Sequence, residues 1–139
     1  MDRDAFFWQI RDGRLPMPQA AVTLGAAIRE VAPEAGTIEM AFEATAAFTN
    51  PIGNVQGGFL AAMLDDTMGP ALAALLPAGE FAPTVNLNVS FARPARPGPL
   101  VGKGRVVRRG KDVCLLAAEL YQDGELVASA TATAIVRRA

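Results

Sequence analysis

The sequence predicts an α+β domain in which one long helix is wrapped by an antiparallel sheet of about six strands. A single segment, residues 59–76, is rich in the helix formers Ala, Leu and Met. Four strand-like segments joined by short turns follow it, with no further helix between them. The length of 139 residues and the 51% hydrophobic content suit one core. We therefore expect residues 1–139 to form a single domain.

The first third of the chain predicts one short helix and two strands. Residues 4–12 place apolar side chains at near-helical spacing, which predicts an N-terminal helix over about 3–13. Residues 20–31 are mostly small and apolar, and they predict a first strand that is mostly buried. Residues 36–44 alternate apolar and polar side chains, as a strand with one exposed face does.

The central helix follows a loop rich in Asn, Gly and Pro. Residues 59–76 are apolar nearly all round the helix, except at three consecutive polar residues that begin with Asp65. We therefore expect other parts of the fold to surround this helix. Pro70 has no N–H group to bond the carbonyl four residues earlier, which predicts a kink or break near Met68 and Gly69.

The second half of the chain predicts four strands. Turn residues separate the four segments with strand patterns, which are residues 83–94, 100–109, 113–122 and 126–136. Hairpin turns are expected at Gly110 and at Gly124. Consecutive antiparallel strands need no crossover helix, so this order favours an antiparallel sheet over a doubly wound fold.

Charge and composition exclude several classes of function. The formal net charge of -1 leaves no basic excess for binding a nucleic acid. The N-terminus lacks the continuous apolar segment of a signal peptide. The longest apolar run, around residues 59–64, is far shorter than the ~20 residues of a membrane span. We therefore expect a cytoplasmic protein with no nucleic-acid and no membrane partner.

The absence of histidine narrows the possible chemistry further. It excludes Ser-His-Asp and Cys-His catalytic systems and histidine-ligated metals, and we expect neither a metal nor a cofactor. Acid–base catalysis then depends on a carboxylate, Tyr121, Cys114 or a lysine. Cys114 lies within an apolar run, and we interpret it as a buried structural thiol.

The start of the central helix carries the residues most suited to chemistry. Gly57 and Gly58 let the backbone approach a ligand and point unpaired N–H groups at it, although they could instead only permit a tight turn. Asp65 lies about two turns further along, where an unpaired carboxylate in an apolar helix is costly and a functional role is favoured. Asp66 points about 100° away, and we expect it at the surface, at a cap or at an interface.

This loop and helix resemble a known family. The family pattern is N-x-x-G-x-x-H-G-G, with an acidic residue nine positions after the histidine. Five positions match it in register: Asn50, Gly53, Gly57, Gly58 and Asp65. The sequence thus resembles the hotdog-fold acyl-CoA thioesterases, most closely the phenylacetate-degradation type within the 4-hydroxybenzoyl-CoA thioesterase superfamily. The strand that begins at Thr84 is similar as well, and the resemblance covers roughly residues 45–136.

The resemblance implies a hotdog fold and a role for each matching residue. The N–H of Gly57 would polarise the thioester carbonyl, and Asp65 of the other subunit would activate water or attack directly. Asn50 would hold the loop or help to place the water. Thr84 would orient the water, although a threonine chosen only for its strand propensity would look the same. Gln56 stands where relatives usually carry histidine, and it can donate a hydrogen bond but cannot carry a proton.

The resemblance also implies a CoA site and an oligomer. Gly58 would lie against the substrate, and four basic residues match positions that bind CoA phosphates: Arg93, Arg108, Arg109 and Lys111. Their charge suits phosphates, although charges in solvated turns would look the same. Because the family's site lies between subunits, we expect a homodimer or a tetramer built from two dimers.

Two classes of function therefore compete. The first is an acyl-CoA thioesterase that releases a free acid and CoA. The alternative is a non-catalytic acyl-CoA-binding or regulatory hotdog protein, motivated by Gln56 in place of histidine. A third, an enoyl-CoA hydratase, is disfavoured because that chemistry normally uses an Asp-His pair and the chain has no histidine.

Overall fold

A computed structural model describes all residues of the chain, 1–139. It contains three α-helices, which are α1 (Phe6–Arg11), α2 (Gln19–Thr23) and α3 (Gly57–Ala73). It contains eight strands, which are β1 (Ala27–Ala32), β2 (Thr37–Ala44), β3 (Glu80–Phe81), β4 (Thr84–Phe91), β5 (Gly98–Arg109), β6 (Val113–Gln122), β7 (Glu125–Ile135) and β8 (Arg137–Arg138). A 3₁₀ helix at Ala46–Phe48 leads into the loop before α3. No helix combines the length and the apolarity needed to cross a bilayer.

The predicted α+β architecture with a six-stranded sheet around one helix is confirmed. The strand order is β1-β2-β5-β6-β7-β4, and every neighbouring pair is antiparallel. The short strands β3 and β8 form a separate pair at one end. β1 and β4 are therefore the two edges of the main sheet, and neither has a second neighbour.

The core lies between α3 and the inner face of the sheet. Side chains on α3 that are essentially inaccessible to solvent include Met63, Leu64 and Met68. The facing positions of β7 are alanines, and β5 contributes Gly104, where a Cβ atom would lie 2.9 Å from Cγ2 of Thr67. These small residues let the helix lie close to the sheet. This close packing sets the distance between the sheet and the polar side chains of α3.

The prediction of a mostly buried strand at residues 20–31 is wrong. Pro18 precedes a short helix, α2, whose first three residues, Gln and two Ala, have good helix propensity, and Gly25 then turns the chain at a φ of +63°. The strand that follows, β1, is exposed or half-buried along its length because it is an edge strand. Composition alone did not separate a short apolar helix from a buried strand.

Two further expectations about order and continuity are corrected. The chain does not continue from β4 to a neighbouring strand, because β4 pairs with β7 and the 92–97 segment carries the chain past β7 and β6 to β5. Of the kink or break predicted at Pro70, the break does not occur, because α3 is one helix through this residue. Packing of the buried residues on both sides of the proline offsets the missing hydrogen bond.

Candidate functional site

A cleft of about 430 Å³ lies between the loop before α3 and the end of β4. Three of the predicted site residues, Asn50, Gly57 and Arg93, line this cleft. The ring of Phe91 forms another part of its wall. Phe91 was not among the site residues predicted from the sequence.

Asn50 shapes the loop. Its Oδ1 accepts hydrogen bonds from the N–H groups of Ile52 at 3.0 Å and Asn54 at 3.1 Å. Its own N–H donates to the carbonyl oxygen of Asn54 at 2.8 Å. The acceptor end of this side chain is therefore occupied by the backbone, and its amide nitrogen makes no hydrogen bond within the chain.

The start of α3 presents free donors to the cleft. Helix geometry leaves the N–H groups of Gly57 and Gly58 without carbonyl partners, and no loop oxygen accepts from them. A Cβ atom at Gly57 would lie 3.0 Å from the ring of Phe91, so glycine permits this close approach, whereas Gly58 faces open space. Gln56 is exposed at the helix cap, and its side chain makes no capping hydrogen bond.

Two residues to which the resemblance gives roles, Asp65 and Thr84, lie in contact. The hydroxyl of Thr84, at the first position of β4, donates a hydrogen bond of 2.9 Å to Oδ1 of Asp65. The carboxylate is half-buried. One oxygen is thereby held in a fixed direction while the other makes no hydrogen bond within the chain.

A single copy of the chain does not bring Asp65 to Gly57. The two residues are eight positions apart on one helix, which separates them by about 12 Å along the helix axis. One substrate carbonyl cannot contact both a donor and a carboxylate over that separation. A single chain therefore does not bring these two predicted functional groups to one substrate carbonyl.

Asp66 lies neither at a cap nor fully at the surface, so those two expectations are wrong, and the third, an interface position, stays a prediction. It is half-buried in the middle of α3, and its Oδ2 is inaccessible to solvent and has no hydrogen-bond partner. Burial raises the pKa of Asp66 to about 6, and the neighbouring charge of Asp65 adds to the shift. The rule that an acid in an apolar helix needs a partner applies to Asp66 at least as strongly as to Asp65.

The predicted phosphate-binding residues lie in two groups. Arg93 is at the Phe91 end of β4, where it forms an ion pair of 2.5 Å with Glu125. Arg108 and Lys111 are exposed at the opposite end of the sheet. Arg109 lies beside them and donates to the carbonyl oxygen of Lys111 at 3.2 Å. It also lies 3.7 Å from a carboxylate oxygen of Glu80, so this guanidinium is partly engaged within the chain.

Comparison with known proteins places this site in a family. The family model described as thioesterase superfamily matches residues 52–129, which include the start of α3, the two aspartates and the whole of β4. This match covers more than half of the chain. The chain therefore belongs to the thioesterase superfamily, and the predicted class of enzyme, a thioester hydrolase, is the class that this family defines.

Solved structures agree with this assignment. A phenylacetic acid degradation-related protein from Ralstonia eutropha JMP134 is 50% identical, over 94% of this chain and 98% of that one, with a TM-score of 0.92. A thioesterase family protein from Silicibacter pomeroyi is 28% identical, over 96% of this chain and 99% of that one, with a TM-score of 0.82. The predicted hotdog fold and the resemblance to the phenylacetate-degradation type are confirmed.

A curated relative matches a shorter segment. A protein of Halobacterium salinarum that is named an esterase is 43% identical over 63 residues. That segment is 44% of this chain and 41% of the relative, so the match spans less than half the length of either protein.

Proposed function

We propose that the thioester hydrolysed by this chain is an acyl-CoA, and that each site forms between two copies of the chain. The observation that carries the proposal is the hydrogen bond from Thr84 to Asp65, which holds a reactive carboxylate in an apolar helix. The free N–H groups at Gly57 and Gly58 supply the complementary donor. The carboxylate and the N–H donors lie on one helix, but they are too far apart to act on one substrate within one copy.

The free edge of the sheet supports a dimer. β4 pairs only with β7, and it exposes Val85 and Phe91, which are 53% and 56% accessible. A second β4 paired antiparallel across a two-fold axis would continue the sheet and cover these side chains. It would also bring the Thr84 end of one strand next to the Phe91 end of the other. Asp65 of one copy would then face Gly57 of its partner.

The chemistry follows from these positions. The thioester oxygen accepts from the Gly57 N–H, which stabilises the oxyanion by about 2.7–4 kcal/mol in enzymes where one such donor has been removed. Asp65 either takes a proton from an attacking water or attacks the carbonyl carbon itself. In either case the C–S bond breaks and CoA leaves as the thiolate. In the second case water then hydrolyses the mixed anhydride and restores the carboxylate.

The same dimer would gather the basic residues. Arg108, Arg109 and Lys111 lie at the Thr84 end of the sheet, and Arg93 lies at the Phe91 end. Antiparallel pairing of two β4 strands would bring the first group of one copy near Arg93 of the other. CoA phosphates could be bound there with no metal and no additional cofactor. A tetramer of two such dimers and a cytoplasmic location both stay predictions.

The second candidate is a non-catalytic acyl-CoA-binding protein. Gln56 favours it because this exposed side chain takes the place of the histidine of relatives and cannot transfer a proton. The two candidates share a binding site and differ only in turnover. A thiol-release assay over short, medium, long and aryl acyl-CoAs separates them, with calorimetric binding measured on the same panel. Binding without hydrolysis of any member of the panel would favour the second candidate.

The shared site has a sharper test. Gly57→Pro removes the N–H at a helix position that tolerates proline, and Gln56 before it already has the extended backbone that proline requires. Asp65→Asn removes the acid. Each variant alone should be inactive, but a mixture of the two, refolded together, should contain heterodimers with one intact site. Random pairing would restore about a quarter of wild-type activity. No recovery from verified heterodimers would contradict the shared site.

A further inference from the structure

A second cavity lies on the other side of α3, beneath the N-terminal helices. It has a volume of about 110 Å³, and most of the residues that line it are apolar. Phe7 and Ile10 of α1 form part of the roof, Ile28 and Met40 come from β1 and β2, and Pro70 lies on α3. None of these elements places a basic side chain against the cavity. The site proposed above uses none of these residues.

Asp66 is the one charged group in the lining of this cavity. Its Oδ2 is buried and accepts no hydrogen bond. Asp65 is the only titratable neighbour that shifts its pKa, and that influence is repulsive. A buried carboxylate oxygen without a hydrogen-bond donor costs free energy. The chain supplies no donor here, so the donor would have to come from a bound molecule.

The roof of the cavity is fixed in place. The indole N–H of Trp8 donates to the carbonyl oxygen of Ala74 at 3.1 Å, which ties α1 to the end of α3. The N–H of Ala78 donates to Oδ2 of Asp2 at 2.8 Å, and this anchors the segment before α1. Because these bonds hold α1 and the segment before it against the end of α3, the cavity is preformed and does not need a moving segment to create it.

The cavity is separate from the thioester site. Asp66, Pro70 and Ala73 follow one another at helical spacing on the face of α3 that lines the cavity. Asp65 is turned about 100° from that face, and its carboxylate is directed to Thr84 on β4. A molecule in the cavity would therefore lie on a different face of α3 from Asp65, one residue away along the chain.

We propose that this cavity is a binding site for a small molecule with an apolar body and one hydrogen-bond-donating head, an alcohol or an amine. The apolar lining fits the body, and the unpartnered Oδ2 of Asp66 fits the donor. A cavity of 150 Å³ lined by apolar side chains binds benzene in another protein, so a body of roughly six or seven heavy atoms suits this smaller, partly open one. An anionic head is excluded by the carboxylate.

Two probes of equal size test the donor requirement. Cyclohexanol can donate a hydrogen bond and cyclohexanone cannot, and neither absorbs where tryptophan fluoresces. Trp8 is the only tryptophan, and its ring lies 5.0 Å from that of Phe7 in the cavity wall. Titration followed by Trp8 fluorescence, with the α1 amide signals in NMR as a second readout, should show cyclohexanol binding about tenfold more tightly. Equal binding, or none up to the solubility limit, would overturn the proposal.

Variants at Asp66 assign the preference to its carboxylate. In Asp66→Leu the two probes should bind equally, and a preference that survives in the folded variant would overturn the proposal. Asp66→Asn keeps the size and an acceptor oxygen but loses the charge, so it serves if the leucine variant fails to fold. Cyclohexylammonium should bind the wild type more tightly as the pH rises through about 6, and Asp66→Asn should abolish that rise. A rise unchanged in the asparagine variant would contradict the proposal.

A failure here is distinguishable from failure of the thioesterase proposal. Asp65→Asn should abolish hydrolysis and leave the Trp8 response to cyclohexanol within a factor of two of the wild type. Loss of that response in Asp65→Asn, with the fold intact, would show that the cavity is not an independent site.

Discussion

Asp65 and Asp66 are adjacent in the chain and lie in two different environments. Asp65 faces β4, where Thr84 donates to its carboxylate. Asp66 faces the N-terminal helices, where one of its oxygens has no donor at all. The pKa of Asp66 is raised to about 6 by this burial. One face of α3 therefore gives its acid a hydrogen-bond donor, whereas the other holds an acid that ionises at a cost.

The difference between the two faces comes from what packs on them. The face of Asp65 is directed toward the sheet edge, which is polar at Thr84 and has no further strand beside it. The face of Asp66 is covered by the apolar residues of α1 and α2. A change at each residue should therefore affect a different property, activity on one side and stability on the other. The experiments below test that separation.

The largest expected effect is on turnover in Asp65→Asn. We expect kcat for the best acyl-CoA to fall by about 10²–10⁴, because general-base catalysis contributes that much. Asp66→Asn is the matched control. Because Asp66 does not contact the substrate in the proposed site, this variant should retain activity within a factor of about three. A thiol-release assay on both variants measures this. Equal losses in the two variants would end the distinction between the faces.

Substitutions at Gly57 should show the next largest effect on turnover. They separate the loss of the N–H group from the effect of an added Cβ atom. Gly57→Pro and Gly57→Ala both place a Cβ 3.0 Å from the ring of Phe91, but only proline removes the donor. The loss of one oxyanion donor should lower kcat about 10²–10³-fold beyond the alanine variant. Gly58→Ala, which faces open space, controls for helix substitution. Identical activity of the proline and alanine variants would remove the N–H from the mechanism.

Thr84 should have a smaller effect on activity. Thr84→Val keeps the shape and removes the hydroxyl that donates to Asp65, and we expect kcat to fall about tenfold, as the loss of one hydrogen bond to a charged group predicts. Thr84→Ser keeps the donor and should recover most of the rate. Measured separately, kcat should change more than KM. A valine variant as active as the serine variant would show that the hydrogen bond does not position the acid.

Asp66 should control stability with pH. Its folded pKa of about 6 is above the ordinary value of 3.8, so the folded state holds its proton more tightly and the chain loses stability as pH rises from about 4 to 6. Solvent screening of a partly exposed carboxylate reduces this loss to roughly 1 kcal/mol.

The comparison with Asp66→Asn measures that loss. The Tm of the variant should exceed that of the wild type by a few degrees above pH 7, and the two should converge below pH 4. Arg105→Gln, on the outer face of the sheet where Arg105 pairs with Glu119 at 3.0 Å, serves as a charge-change control and should not reproduce this pH-dependent gap. A gap that is constant across pH would mean that ionisation of Asp66 is not its cause.

Much of the fold was predictable because its signals are local. The alternation in residues 36–44 follows from the period of two in a half-buried strand, and β2 confirms it. The strands predicted at residues 100–109, 113–122 and 126–136 are confirmed by β5, β6 and β7. The apolar segment after the Gly-Gly pair predicted α3. Residues 20–31 could not be assigned, because a short stretch of small apolar residues fits a helix and a strand equally. The continuity of α3 through Pro70 depends on packing that lies outside the segment.

The chain's own sequence determined the fold class, the family motif and the candidate residues Asn50, Gly57 and Asp65. Spacing along a chain specifies which groups lie on one helix and how far apart they are. Only the tertiary structure decided which partner each group receives. It placed Thr84 against Asp65, removed every donor from Asp66 and left β4 at a free edge. These outcomes depend on contacts between strands and helices that are distant in sequence. The residue pattern of a single segment does not specify such contacts.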